Sequence, residues 1–368
     1  MTSTPHDTGF DRPALRKRKG RGALSRRDGR YEGLSHHVID DGWGGLDEEI
    51  PPLRTTVTED TSRTVITRNQ SPDVPFEQSI NPYRGCEHGC VYCYARPTHA
   101  YLGLSPGLDF ESRLFAKPDA ARLLDEELRN PRYRCQVIAL GTNTDPYQPV
   151  ERRLEITRQI LAVLASYRHP VTIVTKSALI ERDVDILAPM AVRRLAQVTL
   201  SVTTLDRRLA RRMEPRATAP QRRLETLRKL TDAGIPTGVL VAPVIPGLND
   251  AELETILTAC SRAGVTSAGY VLLRLPLEIK DLFKEWLVTH YPLKVNHVMS
   301  LVRQTRAGRE NDPGFGTRMT GTGAYAEMIQ HRFRLVCKRL ALNRDAASLD
   351  TTQFSVRTRS GDQLALFD

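Results

Sequence analysis

The sequence predicts an α/β fold in which six strand–helix units form a partial, TIM-like (β/α)6 barrel. Apolar runs typical of strands alternate with amphipathic helical stretches from about residue 79 to residue 291. Each unit takes up about 35 residues, which fits the length of a βαβ step. The strand runs are apolar on both faces, as parallel strands covered by helices must be. Eight units would close a full barrel, so six predict an open one with its chemistry at the carboxyl ends of the strands.

The individual elements follow from hydrophobic periodicity and from stop signals. In the stretch 250–264, Leu253, Ile256, Leu257 and Cys260 recur at helical spacing. Gly234 is a stop signal for the helix before it. The predicted strands are 79–85, 136–142, 171–177, 197–204, 237–247 and 268–276. The predicted helices are 118–129, 152–168, 181–195, 220–234, 250–264 and 279–291.

Composition divides the chain into four regions. Residues 1–70 have little apolar periodicity, so we expect a basic, largely disordered N-terminal arm. Its dense basic run, residues 12–27, reads either as a solvated tail or as an arm that releases counterions from nucleic acid. The barrel takes up residues 71–291, and a C-terminal helical extension follows over 292–345. Residues 346–368 are expected to be a flexible tail.

Charge and cysteine content restrict the class of protein. The net charge of +10 favours polyanionic partners without selecting one. No run of eighteen apolar residues is present, so we expect no membrane partner. The N-terminus lacks the apolar stretch of a signal peptide, which predicts a cytoplasmic protein. In that reducing compartment, clustered cysteines indicate metal binding or catalysis rather than disulfides.

Three of the six cysteines lie close together in RGCEHGCVYCYARP, residues 84–97. The spacing of Cys86, Cys90 and Cys93 allows one short loop to wrap three corners of a metal cluster. Closed zinc sites and structural [4Fe–4S] clusters usually have four protein ligands, so three thiolates would leave one iron open to a small molecule. The alternative is a zinc site in which His88 or His99 is the fourth ligand.

The cysteine spacing, the aromatic Tyr92 before the third cysteine and the six strand–helix units resemble the radical S-adenosylmethionine (SAM) superfamily. Three segments, NPYRGCEHGCVYCYARPTHAYLG, GTNTDPYQPVE and TIVTKS, are similar to the branch of spore photoproduct lyase and its bacterial relatives. The resemblance implies a [4Fe–4S] cluster whose open iron binds SAM. It also implies reductive cleavage of SAM to a 5′-deoxyadenosyl radical, with electrons from a reducing partner such as flavodoxin or ferredoxin.

The same resemblance implies a set of SAM contacts at the strand ends. Lys176 matches a lysine that meets the SAM carboxylate, and Ser201 a position near the SAM ribose or amino group. The other implied contacts are Tyr92, Asn143, Asp145 and Ala242, with Tyr94 as a candidate catalytic residue that relays hydrogen. Two alternatives stay open: Lys176 pairs with Asp145, and Ser201 is an inward-facing strand serine.

One departure from the branch concerns the hydrogen donor. In spore photoproduct lyase a cysteine near the end of the second strand returns a hydrogen atom to the product radical. Here that region reads GTNTDPY, residues 141–147, and contains no cysteine. Cys135 lies at the opposite end of the predicted strand, about 20 Å away at roughly 3.3 Å per residue. Cys260 and Cys337 fall on apolar helical stripes, which predicts core positions.

Two further segments suggest partners. The stretch 207–223 is basic and is expected to be a loop at the mouth of the pocket, either gripping phosphates or simply exposed. Within it, Glu214 and Arg216 resemble an element of related sequences for which the sequence gives no physical role. The tail carries Gln363, Leu364, Leu366 and Phe367, which resemble the peptide by which bacterial repair enzymes dock on the DNA sliding clamp. The alternative is an apolar end folded back on the barrel.

Taken together, the sequence predicts a radical SAM enzyme that repairs or modifies DNA, in the manner of photoproduct lyases. The second hypothesis is a radical SAM enzyme that modifies RNA, a peptide or a small metabolite. The third is a zinc-containing protein that binds nucleic acid without catalysis. The sequence does not name the substrate.

Overall fold

The computed structural model describes residues 17–32, 52–344 and 348–356. The clamp-like motif at 363–367 and the first part of the basic run lie outside the described residues. Ten strands occur in the described part of the chain: β1 (Thr56–Glu59), β2 (Ile66–Arg68), β3 (Gln78–Ile80), β4 (Tyr83–Arg84), β5 (Arg113–Ala116), β6 (Ile138–Leu140), β7 (Val171–Thr175), β8 (Ala196–Ser201), β9 (Thr237–Val244) and β10 (Ser267–Leu272).

The α-helices of the same residues include the six that the sequence predicted. They are α1 (Leu108–Ser112), α2 (Ala120–Leu128), α3 (Glu151–Leu154), α4 (Ile156–Ser166), α5 (Val184–Val192), α6 (Arg207–Met213), α7 (Pro220–Asp232), α8 (Leu253–Arg262), α9 (Ile279–His290), α10 (Val295–Gln304) and α11 (Ala324–Arg339). Short 3-10 helices occupy Arg96–Leu102, Ala178–Asp183, Asp250–Glu252 and Pro292–Lys294. No helix of the described residues is long and apolar enough to cross a membrane.

The main sheet confirms the predicted α/β fold. Its seven strands lie in the order β10–β9–β8–β7–β6–β3–β2. The six strands from β3 to β10 in this row are parallel and follow chain order, whereas β2 is antiparallel to β3 at one edge. Because all six parallel strands run the same way, their carboxyl ends meet at one edge of the open barrel.

Two predicted elements are divided in the structure. The first predicted strand breaks at Asn81–Pro82, so that β3 belongs to the main sheet and β4 to a small sheet of order β1–β5–β4. Proline has no N–H to continue a ladder, which explains the break. The predicted helix over 152–168 divides into α3 and α4 at Glu155, whose φ of 53° is left-handed.

The open side of the barrel is bridged near its carboxyl edge. The backbone N–H of Leu272, at the end of β10, donates to the carbonyl of Met319 (2.9 Å). From the same glycine-rich segment, Gly316 N–H donates to Asp73 (2.7 Å), and Arg318 forms an ion pair with Asp73. Residues ahead of the first parallel strand are thereby joined to the end of the last one.

The hydrophobic interior consists of a main core and a smaller second one. The main core fills the space between the sheet and its helices and includes Cys260 and Cys337, as their helical stripes predicted. The second core packs Val91 and Tyr92 of the cysteine loop against Met213 of α6 and Trp286 of α9. It therefore fixes the cysteine loop against both the fourth and the sixth units.

The expectation that residues 1–70 are largely disordered is wrong for the described part of that region. Residues 52–70 contain β1 and β2, and residues 17–32, here named the N-terminal strap, pack on the barrel. Ala23 is 1% exposed, and the N–H groups of Gly22 and Ala23 donate to the two carboxylate oxygens of Glu111 at 2.9 and 2.8 Å. These contacts replace the water that a free basic tail would have.

The arginines of the strap pair with acidic residues of the barrel. Arg26 lies 3.0 Å from Asp109 of α1, Arg27 lies 2.9 Å from Asp281 of α9, and Arg30 donates to both oxygens of Glu278. The strap thus connects the region of the first unit to the helix of the sixth. Much of its positive charge is neutralised within the protein.

Candidate functional site

The cysteine loop follows β3 and β4 and lies at the carboxyl edge of the sheet. Cys86 and Cys90 are buried, and Cys93 is partly exposed. The N–H of Cys86 donates to the carbonyl of Phe110 (2.9 Å), and the carbonyl of Cys90 accepts from Arg96 Nε (2.8 Å). Gly85 has a φ of +78°, and a Cβ there would lie 2.8 Å from the Phe110 carbonyl. Only glycine fits this turn without displacing the loop.

A buried glutamine and a buried ion pair support the loop from outside. Gln148 is 0% exposed, donates to the Gly85 carbonyl (3.2 Å) and accepts from the Glu87 N–H (2.8 Å). Arg96, which holds the Cys90 carbonyl, is paired with Glu111. Neither support was predictable from the sequence, because nothing in the spacing of Gln148 or Glu111 connects these residues to the loop.

At the three thiols, the effect of burial on the pKa outweighs that of the nearby cations. Burial raises the pKa of Cys86 and of Cys93, and it raises the pKa of Cys90 to about 12. The thiolate is the form that binds metal, so a bound metal would add the positive charge that stabilises it.

Two kinds of metal centre were considered for the three thiols, a cluster and a single metal ion. Among the described residues, no three His, Cys, Asp or Glu side chains are grouped so that they could hold one ion. A cubane cluster gives each thiolate its own iron, and three thiols on one loop fit that requirement. The zinc alternative, with His88 or His99 as fourth ligand, is not supported, because His99 Nε2 donates to the Arg113 carbonyl (2.9 Å) and His88 Nδ1 lies 3.3 Å from Asp145.

Glu214 is the centre of a buried polar network behind the loop. Its carboxylate accepts from the hydroxyls of Tyr92 and Thr203 and pairs with Arg223, and the carboxylate is almost fully buried. Burial alone would raise the pKa of Glu214, but Arg223 and then Lys176 lower it to about 2. The element containing Glu214, which had no physical role in the sequence, therefore fixes the ring of Tyr92 beside the cysteines.

Asp145 forms a second network at the end of β6. It accepts from Thr175 Oγ1 (2.7 Å) and from the backbone N–H of Lys176 (2.8 Å), and His88 Nδ1 lies 3.3 Å away. Burial alone would raise the pKa of Asp145, but His88 and these donors lower it to about 2. The carboxylate thus joins the end of β6 to the end of β7 and to the cysteine loop.

Lys176 follows β7 and points its ammonium group toward the cysteine loop. Its Nζ lies 5.9 Å from the centre of the Tyr92 ring. The contact with Asp145 comes from the backbone N–H of Lys176. Within the described chain, no carboxylate lies within 4 Å of this Nζ. The ammonium group can therefore pair with an anionic ligand that lies beside the cysteine loop.

Ser201 and Ala242 come together at the ends of β8 and β9. The Ser201 hydroxyl donates to the Ala242 carbonyl (3.2 Å), and Thr203 reaches the same carbonyl (3.3 Å). Asn249 clamps both strand ends by donating to the carbonyls of Thr203 (2.7 Å) and Pro243 (3.0 Å). The inward-facing position of Ser201 agrees with both of its sequence interpretations.

Asn143 and Tyr94 lie at the other side of the carboxyl edge. The N–H of Asn143 donates to the Asn81 side chain (3.0 Å), which holds the turn after β6. Tyr94 donates to the Thr142 carbonyl, is 48% exposed, and has the Arg274 guanidinium 5.5 Å from its ring centre. Cys135 precedes β6, at the opposite edge of the sheet, so it lies away from these residues.

The basic segment after β8 is a helix rather than the loop that the sequence predicted. Leu209 and Met213 of α6 are buried in the second core, and the N–H of Val91 donates to the Met213 carbonyl (3.0 Å). The opposite face of α6 exposes four arginines: Arg207, Arg208, Arg211 and Arg212. This basic face is anchored directly on the cysteine loop.

The model of the radical SAM superfamily matches residues 80–260, which include the cysteine loop and the strand ends described above. The chain belongs to the radical SAM superfamily. It is a radical SAM enzyme, and its cofactors are a [4Fe–4S] cluster and SAM. Three thiols on one loop, with the Lys176 ammonium group near that loop, fit these two cofactors.

The chain is also similar to uncharacterized relatives and to solved structures. An uncharacterized protein of Mycobacterium bovis is 38% identical over 233 residues, covering 63% of this chain and 68% of that protein. An uncharacterized protein of Methanocaldococcus jannaschii is 28% identical over 173 residues, covering 47% of this chain and 62% of that protein. A mutant of spore photoproduct lyase superposes with a TM-score of 0.56 at 15% identity, covering 77% of this chain and 79% of the other.

A second mutant of the same lyase, with bound AdoMet and dinucleoside spore photoproduct, also superposes with a TM-score of 0.56. It is 15% identical and covers 77% of this chain and 78% of its own. At this identity the likeness shows a shared fold.

Proposed function

We propose that this radical SAM enzyme acts on nucleic acid, with DNA repair or modification as its reaction class. The observation that carries this proposal is the basic face of α6, which exposes four arginines on a helix anchored to the cysteine loop. Exposed arginines that neutralise phosphates release counterions, and this supplies binding energy independent of base sequence. The face therefore holds a polyanion next to the reacting centre.

In this proposal Cys86, Cys90 and Cys93 hold three irons of the cluster and leave the fourth to SAM. Lys176 binds the SAM carboxylate, since a cation suits that group and, among the described residues, its ammonium forms no ion pair within 4 Å. Tyr92, Asn143, Asp145, Ser201 and Ala242 line the SAM site from the strand ends. When bound, the reduced cluster and SAM supply a 5′-deoxyadenosyl radical that abstracts hydrogen from the substrate.

The residues of this chain have separate tasks around that chemistry. Glu214 holds the Tyr92 hydroxyl and keeps the ring in place, and Asp145 fixes the backbone of Lys176. Tyr94 lies at the exposed edge and is the candidate that returns hydrogen to the product, because no cysteine occupies the turn after β6. Electrons come from a reducing partner such as a flavodoxin or ferredoxin.

The cofactor part is tested by electron paramagnetic resonance. The protein is reconstituted anaerobically with iron and sulfide, reduced, and measured with and without SAM. A [4Fe–4S]⁺ signal that shifts on adding SAM, and that is absent in Cys90→Ala, is expected. Lys176→Gln should keep the signal and weaken the SAM-induced shift. Tightly bound zinc in place of a cluster would contradict the assignment of these cysteines.

The nucleic-acid part is tested by binding of a duplex at several salt concentrations. Arg207, Arg208 and Arg211 are changed together to Gln. The matched control changes three other exposed arginines: Arg193 in the turn after α5, Arg228 on α7 and Arg262 on α8. The α6 variant should bind more weakly. The magnitude of its negative slope of log K against log salt should decrease by up to about 2.7, because three phosphate contacts are lost. Equal binding by both variants would remove the argument from α6.

Competition between RNA and DNA of the same sequence then distinguishes the two nucleic acids. Preferential displacement by RNA would favour the second candidate function, modification of RNA. A wild-type protein that binds neither polymer while cleaving SAM would leave a peptide or a small metabolite as the substrate.

A further inference from the structure

A pair of arginine–aromatic contacts lies near the cysteine loop, where Tyr94 and Arg274 meet. The Arg274 guanidinium lies 5.5 Å from the centre of the Tyr94 ring, and that of Arg318 lies 4.6 Å from the centre of the Phe315 ring. Arg274 also reaches the sulfur of Met319 (3.7 Å), the neighbour of Arg318. The four residues Tyr94, Arg274, Phe315 and Arg318 are named here the aromatic ledge.

The ledge lies on the carboxyl edge of the sheet, on the same side as the cysteine loop. Tyr94 follows the third cysteine and donates to the Thr142 carbonyl after β6. Arg274 comes two residues after β10, and the Met319 carbonyl is paired with the end of that strand. The ledge therefore spans the open side of the barrel between the second and the sixth parallel strands.

Arg274 has weaker partners than Arg306 and Arg318, although all three arginines have a buried Nε without a hydrogen bond. Its Nε is buried and has no hydrogen-bond partner, and no carboxylate of the described residues lies within 4 Å of it. Arg318 by contrast pairs with Asp73, and Arg306 donates to four backbone carbonyls. Burial and the nearby Arg318 lower the pKa of Arg274, whereas Tyr94 and Asp73 raise it by less. A guanidinium left in this state favours an incoming anion.

The two aromatic rings of the ledge are exposed, so a bound molecule that covers them would remove apolar surface from water. Phe315 is 62% exposed and Tyr94 48% exposed. Exposed aromatic rings next to cations bind unpaired bases, since every base has a face that stacks and every nucleotide brings a phosphate. The rings of a paired duplex are stacked on each other and cannot use such a surface.

We propose that the aromatic ledge binds one unpaired nucleotide of the substrate, with its phosphate on Arg274 and its base stacked on Phe315. This proposal rests on the proposed action on nucleic acid and adds the form of the substrate, which is a single strand or a base displaced from a duplex. An enzyme that reacts with a base of a duplex must first take that base out of the base stack. The ledge would hold the unstacked base beside the cysteine loop.

The test measures binding of a fluorescein-labelled twelve-nucleotide oligothymidylate to the cluster-loaded protein by fluorescence anisotropy. Arg274→Gln should weaken binding about tenfold and lower the slope of log K against log salt by about 0.7. Phe315→Ala should weaken it about tenfold, and Phe315→Tyr should keep wild-type affinity. Arg228→Gln on the outer face of α7 makes the same charge change away from the ledge and should bind as wild type.

Duplex binding and oligonucleotide binding together distinguish a failure of the aromatic ledge from a failure of the proposed function. An intact duplex should lose no affinity in Phe315→Ala, whereas the α6 variant should bind it more weakly. If the α6 variant loses affinity while Arg274→Gln and Phe315→Ala bind the oligonucleotide as wild type, the ledge is wrong and the nucleic-acid function stands. If wild type binds no nucleic acid, both fail. Loss of the SAM-induced paramagnetic shift in Arg274→Gln would assign the arginine to SAM and overturn the ledge.

Discussion

Arg96 and Glu111 form an ion pair from which water is excluded, with Arg96 Nη2 2.5 Å from Glu111 Oε1 and both side chains 0% exposed. The pair joins two parts of the protein that are distant in sequence. Arg96 holds the carbonyl of Cys90, while Glu111 holds the backbone of the strap at Gly22 and Ala23. The position of the cysteine loop is therefore coupled to the docking of the strap.

Glu111→Gln should destabilise the protein strongly. The change leaves the Arg96 charge buried without a counterion, which typically costs about 3–5 kcal/mol. The free energy of unfolding of the cluster-loaded protein in urea measures it. Glu126→Gln removes an exposed partner of Arg122 on α2 and should leave the midpoint unchanged. Similar midpoints for the two variants would contradict the coupling.

Gly22→Ala should expose the cluster to oxygen. A Cβ at position 22 would lie 1.8 Å from the Gly89 carbonyl, a backbone atom of the cysteine loop. Either the strap or the loop must therefore move. We expect the visible absorbance of the cluster to decay several-fold faster in air than in wild type. The control is Gly269→Ala, whose Cβ would meet only a leucine methyl at 3.1 Å; equal decay in the two variants would argue against the strap as a cover.

Stability should fall with acidification in part through His169. This side chain is fully buried between the Tyr133 hydroxyl (2.7 Å) and the Pro170 carbonyl (3.0 Å), and burial lowers its pKa to about 4. In the unfolded chain its pKa is about 6.5. The unfolded state therefore binds more protons between these values, and the stabilisation that is present above pH 6.5 is lost as the pH falls toward 4.

The measurement is the free energy of unfolding at pH 7.5, 6 and 5 for wild type and His169→Gln. The wild-type value should fall more steeply, by up to about 1.4 kcal/mol per pH unit. His99 and His290, whose pKa values are also lowered to about 4 by burial, remain in both proteins. Parallel pH profiles would show that His169 does not titrate in this way.

The tail prediction concerns residues outside the described part of the chain. Deleting 363–367 should abolish binding to the bacterial sliding clamp in a pull-down and leave the paramagnetic signal of the cluster intact. The control permutes Gln363, Leu364, Leu366 and Phe367 at constant composition, and it should bind as poorly as the deletion. Clamp binding that survives the deletion would end the hypothesis.

Much of the barrel could be predicted because its signals are local. The apolar runs around Ile138, Ile173 and Val198 are strands in the structure, and the stripe through Leu253 and Cys260 is a helix. The cysteine spacing was as informative, because one loop carries all three thiols. The predicted bounds of elements were wrong where a single residue interrupts the element. Pro82 divides the first strand, and Glu155 divides the helix over 152–168.

The strap and the supporting networks were not predictable because their partners are far away in sequence. Arg26 and Arg27 read as solvated charge, and their acidic partners lie more than 80 residues away. The helix α6 was missed for the same reason: its arginines dominate the composition, while Leu209 and Met213 are buried only because the second core receives them. The ledge depends on Arg274 and Phe315, which no local pattern connects.

The connection between the strap and α9 also sets an order of events during synthesis. Arg30 precedes Glu278 by 248 residues and Ser25 precedes Glu285 by 260. At about 5–20 residues per second, a ribosome needs about 12 to 50 s to make that interval. The cysteine loop leaves the ribosome early in this period, while the partner helix that fastens the strap does not yet exist. Iron and sulfide can thus be delivered to a nascent chain whose cysteines are still accessible, before the finished protein closes over them.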